Sequence, residues 1–146
     1  MGNITLAAAS ILVDAALAEG QRRNFAPLTV AVLDAGGHLV ALKREDNSSL
    51  LRPQIATAKA WGTLGMGFGG RELERRAQRS PTFFGTLTEL AEGRMVPVAG
   101  GVLIRDQDGD IVGSVGVSGD NSSNDEICAV AGIKTAGLVA DTGDAG

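Results

Sequence analysis

The chain has 146 residues, which suits one domain with a single core, and we treat 1–146 as that domain. Its 44% hydrophobic content excludes a disordered chain, and its formal net charge of −4 argues against nucleic-acid binding. The single Cys128 excludes an internal disulfide and fits a reducing compartment. The sequence has no apolar run of about 18 residues and no secretion-signal pattern, so we expect a cytoplasmic protein without a membrane partner.

The first half of the chain predicts a helix, a β-hairpin and a second helix. Apolar residues within 4–19 recur on one helical face, and Gly20 is a natural helix end. Residues 28–33 form a short, continuously apolar run that predicts a buried strand, and 38–44 is its hairpin partner. Residues 51–66 predict the second helix, since a proline in its first turn costs little.

The second half predicts another hairpin and a closing helix, after a segment without clear periodicity. The predicted elements are a charged helical turn at 72–78, an irregular segment at 79–96 with at most a short helix ending at Leu90, strands at 98–105 and 110–118, a helix at 123–139 and a frayed tail at 141–146. Ser123 to Glu126 read as a capping box at the start of the closing helix.

Residues 33–49 and 105–123 nearly repeat each other. Each has a strand-like run, an Asp/Gly turn, a second strand-like run, and Asp-Asn-Ser-Ser ahead of a predicted helix. The pattern predicts two β-hairpin-plus-helix units that share one antiparallel sheet and open both helix N-termini near comparable places. We therefore expect an α+β, profilin-like or PAS-like fold, with helices flanking an antiparallel sheet of about five strands or fewer.

Three charged residues stand out as candidates for catalysis. Lys59 lies on the predicted packing face of its helix, where it can pair with a carboxylate, reach solvent, or act at a pocket edge. Asp125 and Glu126 lie in the first turn of the closing helix, where capping alone explains them. The alternative is that they exchange protons with a bound substrate.

Small residues on the second hairpin predict a bare surface that something approaches closely. Gly100, Gly101 and Ser118 belong to it, and the approaching group is either a packed helix or a ligand. Phe83 and Phe84, in the irregular segment, are candidates for a lid over this surface. Residues 65–70 match G-x-G-x-x-G, but a helix rather than a strand precedes them, so a flexible connection is the better interpretation.

His38, the single histidine of the chain, lies at the predicted turn of the first hairpin. An exposed turn residue is its default interpretation, and a metal ligand is the alternative. Because the chain has no Cys/His cluster, a zinc site is not expected.

Five motifs in chain order resemble the GlcG/HbpS-type family, also called the heme-degrading domain family. These motifs are VLDAGGHLVA at 32–41, AxxKA at 56–60, PxxGGVxI at 97–104, GxVGVSG at 113–119 and DExCA at 125–129. The chain is also similar to the C-terminal domain of PduO-type adenosyltransferases. The resemblance implies a profilin-like sandwich that forms homo-oligomers and, from some members, heme binding with possible breakdown of the heme.

Two functions stay open at this stage. The resemblance implies a heme or tetrapyrrole-binding module with His38 or a residue of another subunit as the iron ligand, in which Lys59, Arg52 or Arg71 pairs with the propionates. The alternative is a cofactor-free enzyme acting on a small oxo- or hydroxy-acid or aromatic catabolite, in which Lys59 or an arginine holds a carboxylate and Asp125 or Glu126 moves a proton. A third interpretation, in which the domain only assembles with a partner, rests on the same small-residue surface.

Overall fold

A computed structural model describes residues 2–144 of the chain, within which it has five helices and five strands. The helices are α1 (Leu6–Arg22), α2 (Arg52–Met66), α3 (Gly70–Arg79), α4 (Pro81–Leu90) and α5 (Ser122–Thr135). The strands are β1 (Thr29–Asp34), β2 (Leu39–Arg44), β3 (Gly101–Arg105), β4 (Ile111–Ser118) and β5 (Val139–Asp141). Within residues 2–144, no helix is both long enough and apolar enough to span a bilayer.

The five strands form one antiparallel sheet in the order β2-β1-β4-β3-β5. The two predicted hairpins, β1–β2 and β3–β4, join through the central strands β1 and β4. Thr29 pairs with Ser118 at one end of this central pair, and Asp34 pairs with Gly113 at the other. The α+β sheet of two hairpins flanked by helices is therefore confirmed.

Helices cover both faces of the sheet. On one face, α1 and α5 pack together over a core that includes Leu12, Val32, Val115 and Ile133. The alternate residues of β4 face α2, which crosses β1, β3 and β4 on the other side. Strand β4 is thus buried on both faces, with valines toward α1 and α5 and small residues toward α2.

Helix α2 lies directly on the small-residue surface of β4. A Cβ atom at Gly116 would overlap the carbonyl oxygen of Ala56, and Ser114 Oγ donates a 2.9 Å hydrogen bond to the carbonyl oxygen of Ala60. The close approach predicted for this strand is therefore made by a helix. The lid predicted from residues 79–96 was wrong, because α2 covers this surface and residues 81–90 form α4, which packs against α3.

Several predicted boundaries differ from the structure for local reasons. Helix α1 continues through Gly20 to Arg22, and Asn24 then leaves the helix at a φ of 60°. The N-cap of α5 is Asn121 rather than Ser123, since its side chain accepts a 2.9 Å hydrogen bond from the Asn124 amide.

The end of the chain differs most from the prediction. Helix α5 ends at Thr135, before Gly137 at a φ of 79°, so the predicted helix to residue 139 was too long. Residues Val139–Asp141 pair with β3 as an edge strand instead of starting a frayed tail. Residues 145 and 146 of that predicted tail lie outside the described residues.

Candidate functional site

Both repeat helices begin at the same end of the sheet, on opposite faces. Helix α5 begins just after β4 ends at Ser118, and Arg52, the first residue of α2, donates from Nη1 to Ser118 Oγ at 3.0 Å. Beside them, the hydroxyl oxygens of Thr29 and Ser48 lie 2.8 Å apart in a buried hydrogen bond. The repeat thus correctly predicts neighbouring helix starts.

Lys59 of α2 and Asp125 of α5 form a buried ion pair across this end of the sheet. Lys59 Nζ lies 3.1 Å from Asp125 Oδ2 and 3.0 Å from the carbonyl oxygen of Val117. The two side chains are only 5% and 1% exposed. Burial raises the pKa of Asp125, while the charge of Lys59 and an N–H donated by Asp120 oppose that rise. Lys59 can therefore lie on a packed face of α2, since the carboxylate of Asp125 pairs with its charge there.

Glu126 forms an ion pair with an arginine of another helix, α3. Arg71 of α3 donates from Nε to Glu126 Oε1 at 2.9 Å. The second carboxylate oxygen, Oε2, is buried and also lies 2.9 Å from Arg71 Nε, so both carboxylate oxygens contact the guanidinium. Burial raises the pKa of Glu126, and the hydrogen bond and charge of Arg71 oppose the rise. We call Lys59, Arg71, Asp125 and Glu126 the ion-pair cluster.

Gly100 and Gly101 lie against the ion-pair cluster. A Cβ atom at Gly100 would lie 2.9 Å from Lys59 Nζ, and one at Gly101 would overlap the carbonyl oxygen of Lys59. Both glycines therefore make room for α2 and its lysine. Phe83 and Phe84 lie elsewhere, on α4, with ring centroids 5.8 Å apart and only Phe84 buried.

His38 lies in the β1–β2 turn, at the opposite end of the sheet from the ion-pair cluster. Its side chain is 80% exposed, and its Nδ1 is 3.2 Å from Asp34 Oδ1. The same oxygen accepts the backbone N–H groups of Gly36 at 2.9 Å and His38 at 3.0 Å. These hydrogen bonds, led by the His38 amide, hold the pKa of Asp34 below its usual value. An ionised Asp34 favours the proton on Nδ1 and leaves the lone pair of Nε2 for a ligand.

A cavity of about 540 Å³ lies beside this turn, between α2 and the loop after α4. It is lined by Gly37, Pro53, Gln54, Thr57, Ala58, Trp61, Gly93 and Arg94. A Cβ atom at Gly37 would lie 3.2 Å from Trp61 Nε1, so the turn that carries His38 abuts the indole. The guanidinium carbon of Arg94 lies 4.4 Å from the Trp61 ring centroid. We call this space the Trp61 cavity; its volume falls within the range of about 300–1,000 Å³ typical of ligand sites.

Sequence reasoning missed the two side chains that define the Trp61 cavity. The one available signal was that Trp61 is the chain's single tryptophan, two residues after Lys59 and therefore on a different side of α2. Arg94 follows α4 in the segment that was predicted to be irregular, and nothing in the sequence places it over that ring.

Comparison with known proteins identifies the family of this chain. A sequence model of the family described as "Haem degrading protein HbpS-like" matches residues 4–134. The chain belongs to this family. The five motifs therefore identified the family correctly.

The relatives of this HbpS-like protein include solved structures. GlcG of Escherichia coli strain K12 is 36% identical over 116 residues, which cover 75% of this chain and 77% of GlcG. A crystal structure of a PduOC:heme complex is 25% identical with a TM-score of 0.84, and the match covers 97% of this chain and 99% of that one. A double mutant of Streptomyces reticuli HbpS is 27% identical with a TM-score of 0.79, covering 92% of this chain and 87% of the other.

Proposed function

We propose that this HbpS-like chain binds heme, or a closely related tetrapyrrole, in the Trp61 cavity with His38 as the iron ligand. The observation that carries the proposal is the His38–Asp34 pair beside a cavity of about 540 Å³. The similarity to a protein crystallised with heme supports the same ligand class.

The residues present fit a heme. A carboxylate that holds Nδ1 is the usual partner of a metal-bound histidine, because it fixes the tautomer and the ring orientation. The indole of Trp61 and the backbone of Gly37 offer a flat, apolar wall to a porphyrin. When bound, the heme would supply redox-active iron, while the protein would orient the ring and hold its ligand.

The experiment is a hemin titration followed at the Soret band, comparing wild type with His38→Ala. We expect saturable binding by the wild type, at least tenfold weaker binding by the variant, and recovery of the wild-type spectrum when imidazole is added to the variant. Unsaturable binding by the wild type would contradict heme binding. Equal spectra and affinities would contradict the role of His38 alone.

We also propose that the bound heme is broken down, as the family description suggests. The test measures loss of Soret absorbance together with iron release to a chelator, in the presence of oxygen and a reductant. A stable Soret band under those conditions would contradict it.

A cofactor-free acid–base enzyme is the second candidate, and Glu126 is the observation that favours it. The Glu126 carboxyl is largely buried beside Arg71, and burial raises its pKa, a combination that is common in groups that exchange protons in active sites. Lys59, Asp125 and Glu126 would then be the reacting groups, with Arg52 or Arg71 holding a substrate carboxylate. Incubation with small oxo- and hydroxy-acids, followed by NMR, tests this function; turnover that is lost in Glu126→Gln would support it.

We further propose that the chain is a cytoplasmic homo-oligomer that binds small molecules rather than nucleic acid. Oligomerisation is supported by exposed apolar side chains on α4, where Phe83 is 58% exposed and Leu90 is 77% exposed. The location rests on the single cysteine, Cys128, which is free and buried.

A further inference from the structure

Arg94 is the charged side chain of the Trp61 cavity. The other seven residues that line the cavity are uncharged. An anionic group that enters this space therefore meets one cation, and that cation lies over the face of the aromatic wall.

The guanidinium of Arg94 has donors to spare. Its Nε donates to the carbonyl oxygen of Ala91 at 2.8 Å, which leaves both Nη groups for other partners. Its Nη2 lies 3.8 Å from the exposed Glu92 carboxylate, beyond hydrogen-bond distance. Within residues 2–144, the two Nη groups have no closer carboxylate, and contact with the indole leaves their N–H bonds unpaired.

The backbone around Arg94 is well defined. The end of α4 is closed by hydrogen bonds from Gly93 N to Thr88 O at 2.9 Å and from Arg94 N to Ala91 O at 3.2 Å. On the other side of Arg94, the side chain of Met95 is buried. Arg94 is thus a long side chain on a fixed base, which can swing its end group without moving the loop.

We propose that Arg94 determines ligand specificity by selecting planar ligands that carry a carboxylate at their edge. The ligand plane packs against Trp61, and the guanidinium moves from the indole face to the carboxylate, where its planar fork makes paired hydrogen bonds. This inference rests on the proposed heme site. For heme, the group recognised is a propionate.

Trp61 itself reports on the test, because the chain has no other tryptophan. Wild-type protein is titrated with hemin and with hemin dimethyl ester, which keeps the iron and the ring but masks both carboxylates. Binding is followed by quenching of Trp61 fluorescence and by the Soret band. We expect hemin to bind the wild type about tenfold more tightly than the ester, as loss of a hydrogen bond to a charged group predicts.

Arg94→Gln should bind hemin and its ester with equal affinity, at the level of the wild type with the ester. Arg94→Lys keeps the charge but not the fork, so its preference for hemin should fall between the two. The matched control is Arg22→Gln, an exposed arginine of α1 on the other side of the sheet, which should retain the full preference. Circular dichroism checks that each variant is folded.

The outcomes separate this inference from the proposed function. If hemin and the ester bind equally and Arg94→Gln changes nothing, the role of Arg94 is overturned while heme binding stands. If hemin shifts the Soret band without quenching Trp61, the ligand lies outside this cavity and the inference also fails. If the wild type shows no saturable hemin binding, both are overturned.

Discussion

Asp34 and Asp106 make the same turn in the two hairpins of the repeat. In the first, Asp34 Oδ1 accepts the amides of Gly36 and His38, and in the second, Asp106 Oδ1 accepts the amides of Asp108 and Asp110. Only the first turn places an imidazole on the same oxygen. The second hairpin therefore provides an internal comparison for the first, because it has the same hydrogen bonds in its turn and lacks the histidine.

We predict that Asp34→Asn weakens the proposed hemin binding about tenfold, as loss of a carboxylate partner does for metal-bound histidines. The asparagine oxygen still accepts both amides, so the turn should be retained. Asp106→Asn makes the same change in the other hairpin and should leave the hemin affinity unchanged. Soret titration of the two variants measures the difference, and equal affinities would contradict the role of Asp34.

At the other end of the sheet, we predict that Lys59→Met lowers the free energy of unfolding by about 3–5 kcal/mol, because Asp125 stays buried without its cation. Urea denaturation measures the loss. The control is Lys43→Met, since the Lys43–Asp14 pair is 60% exposed on both sides and should contribute little. A loss no larger than that of the control would contradict a structural ion pair.

The loss of stability in Lys59→Met should depend on pH in a definite direction. Burial raises the pKa of Asp125 in the folded protein. The contribution of Asp125 to the free energy of unfolding is therefore most favourable below the unfolded pKa, near 3.9, and is lost as the pH rises through the folded pKa. Removing Lys59 raises the folded pKa further. The deficit of Lys59→Met should therefore shrink as the pH falls from 7 toward 4, and adding Asp125→Asn should remove this trend. If the difference in the free energy of unfolding between Lys59→Met and wild type did not change with pH, the predicted direction of the pH dependence would be contradicted.

At the scale of elements, α2 can lie on β4 only because the strand carries small residues. We predict that Gly116→Ala lowers the free energy of unfolding by about 1–3 kcal/mol or more, since the added Cβ meets the rigid carbonyl group of Ala56. Gly85→Ala on α4, with nothing within 4 Å of the new Cβ, should be neutral or stabilising by up to about 1 kcal/mol. Thermal unfolding compares them, and similar melting temperatures would contradict the close packing.

The predictability of each element depended on whether its signal was local. The Asp/Gly turns and the helix caps are local, so both hairpins and the starts of their helices could be read directly. Helix α4 was predicted only as a short possibility because Pro81 and Gly85 resemble helix breakers, although proline is well tolerated in a first turn. Strand β5 has three residues and exists through its pairing with β3, which no local pattern encodes.

The residues of the candidate sites also divide into those whose placement has a local sequence signal and those whose placement has none. Helical periodicity correctly placed Lys59 on a packed face, and the position of Asp125 in a first turn was also readable. Their pairing spans 66 residues of sequence, so it requires the sheet to bring α2 and α5 together. The contact of Trp61 with Arg94 likewise depends on where the loop after α4 returns to α2, which explains why the cavity was missed.

At the scale of the whole molecule, a partly exposed apolar stripe on α4 is the surface on which we expect a second copy to bind under the proposed oligomerisation. Phe83, Leu87 and Leu90 are spaced by four and three residues, so they share one side of the helix. Leu87 and Leu90 also line a small cavity of about 160 Å³ with Met66 and Met95. An exposed helix side that continues into an apolar groove is typical of an interface.

If the wild type is the proposed oligomer, we predict that Phe83→Glu combined with Leu90→Glu converts it into a monomer, because each subunit would bring two unpaired carboxylates into an apolar contact. Light scattering coupled to gel filtration measures the mass. Thr86→Glu is the control, since Thr86 is an exposed α4 residue outside the stripe. A monomeric wild type would contradict oligomerisation, and an oligomeric double variant would place the interface elsewhere. Because Trp61 lines both the Trp61 cavity and the small cavity beside this stripe, hemin titration of the monomer also shows whether one subunit binds heme alone.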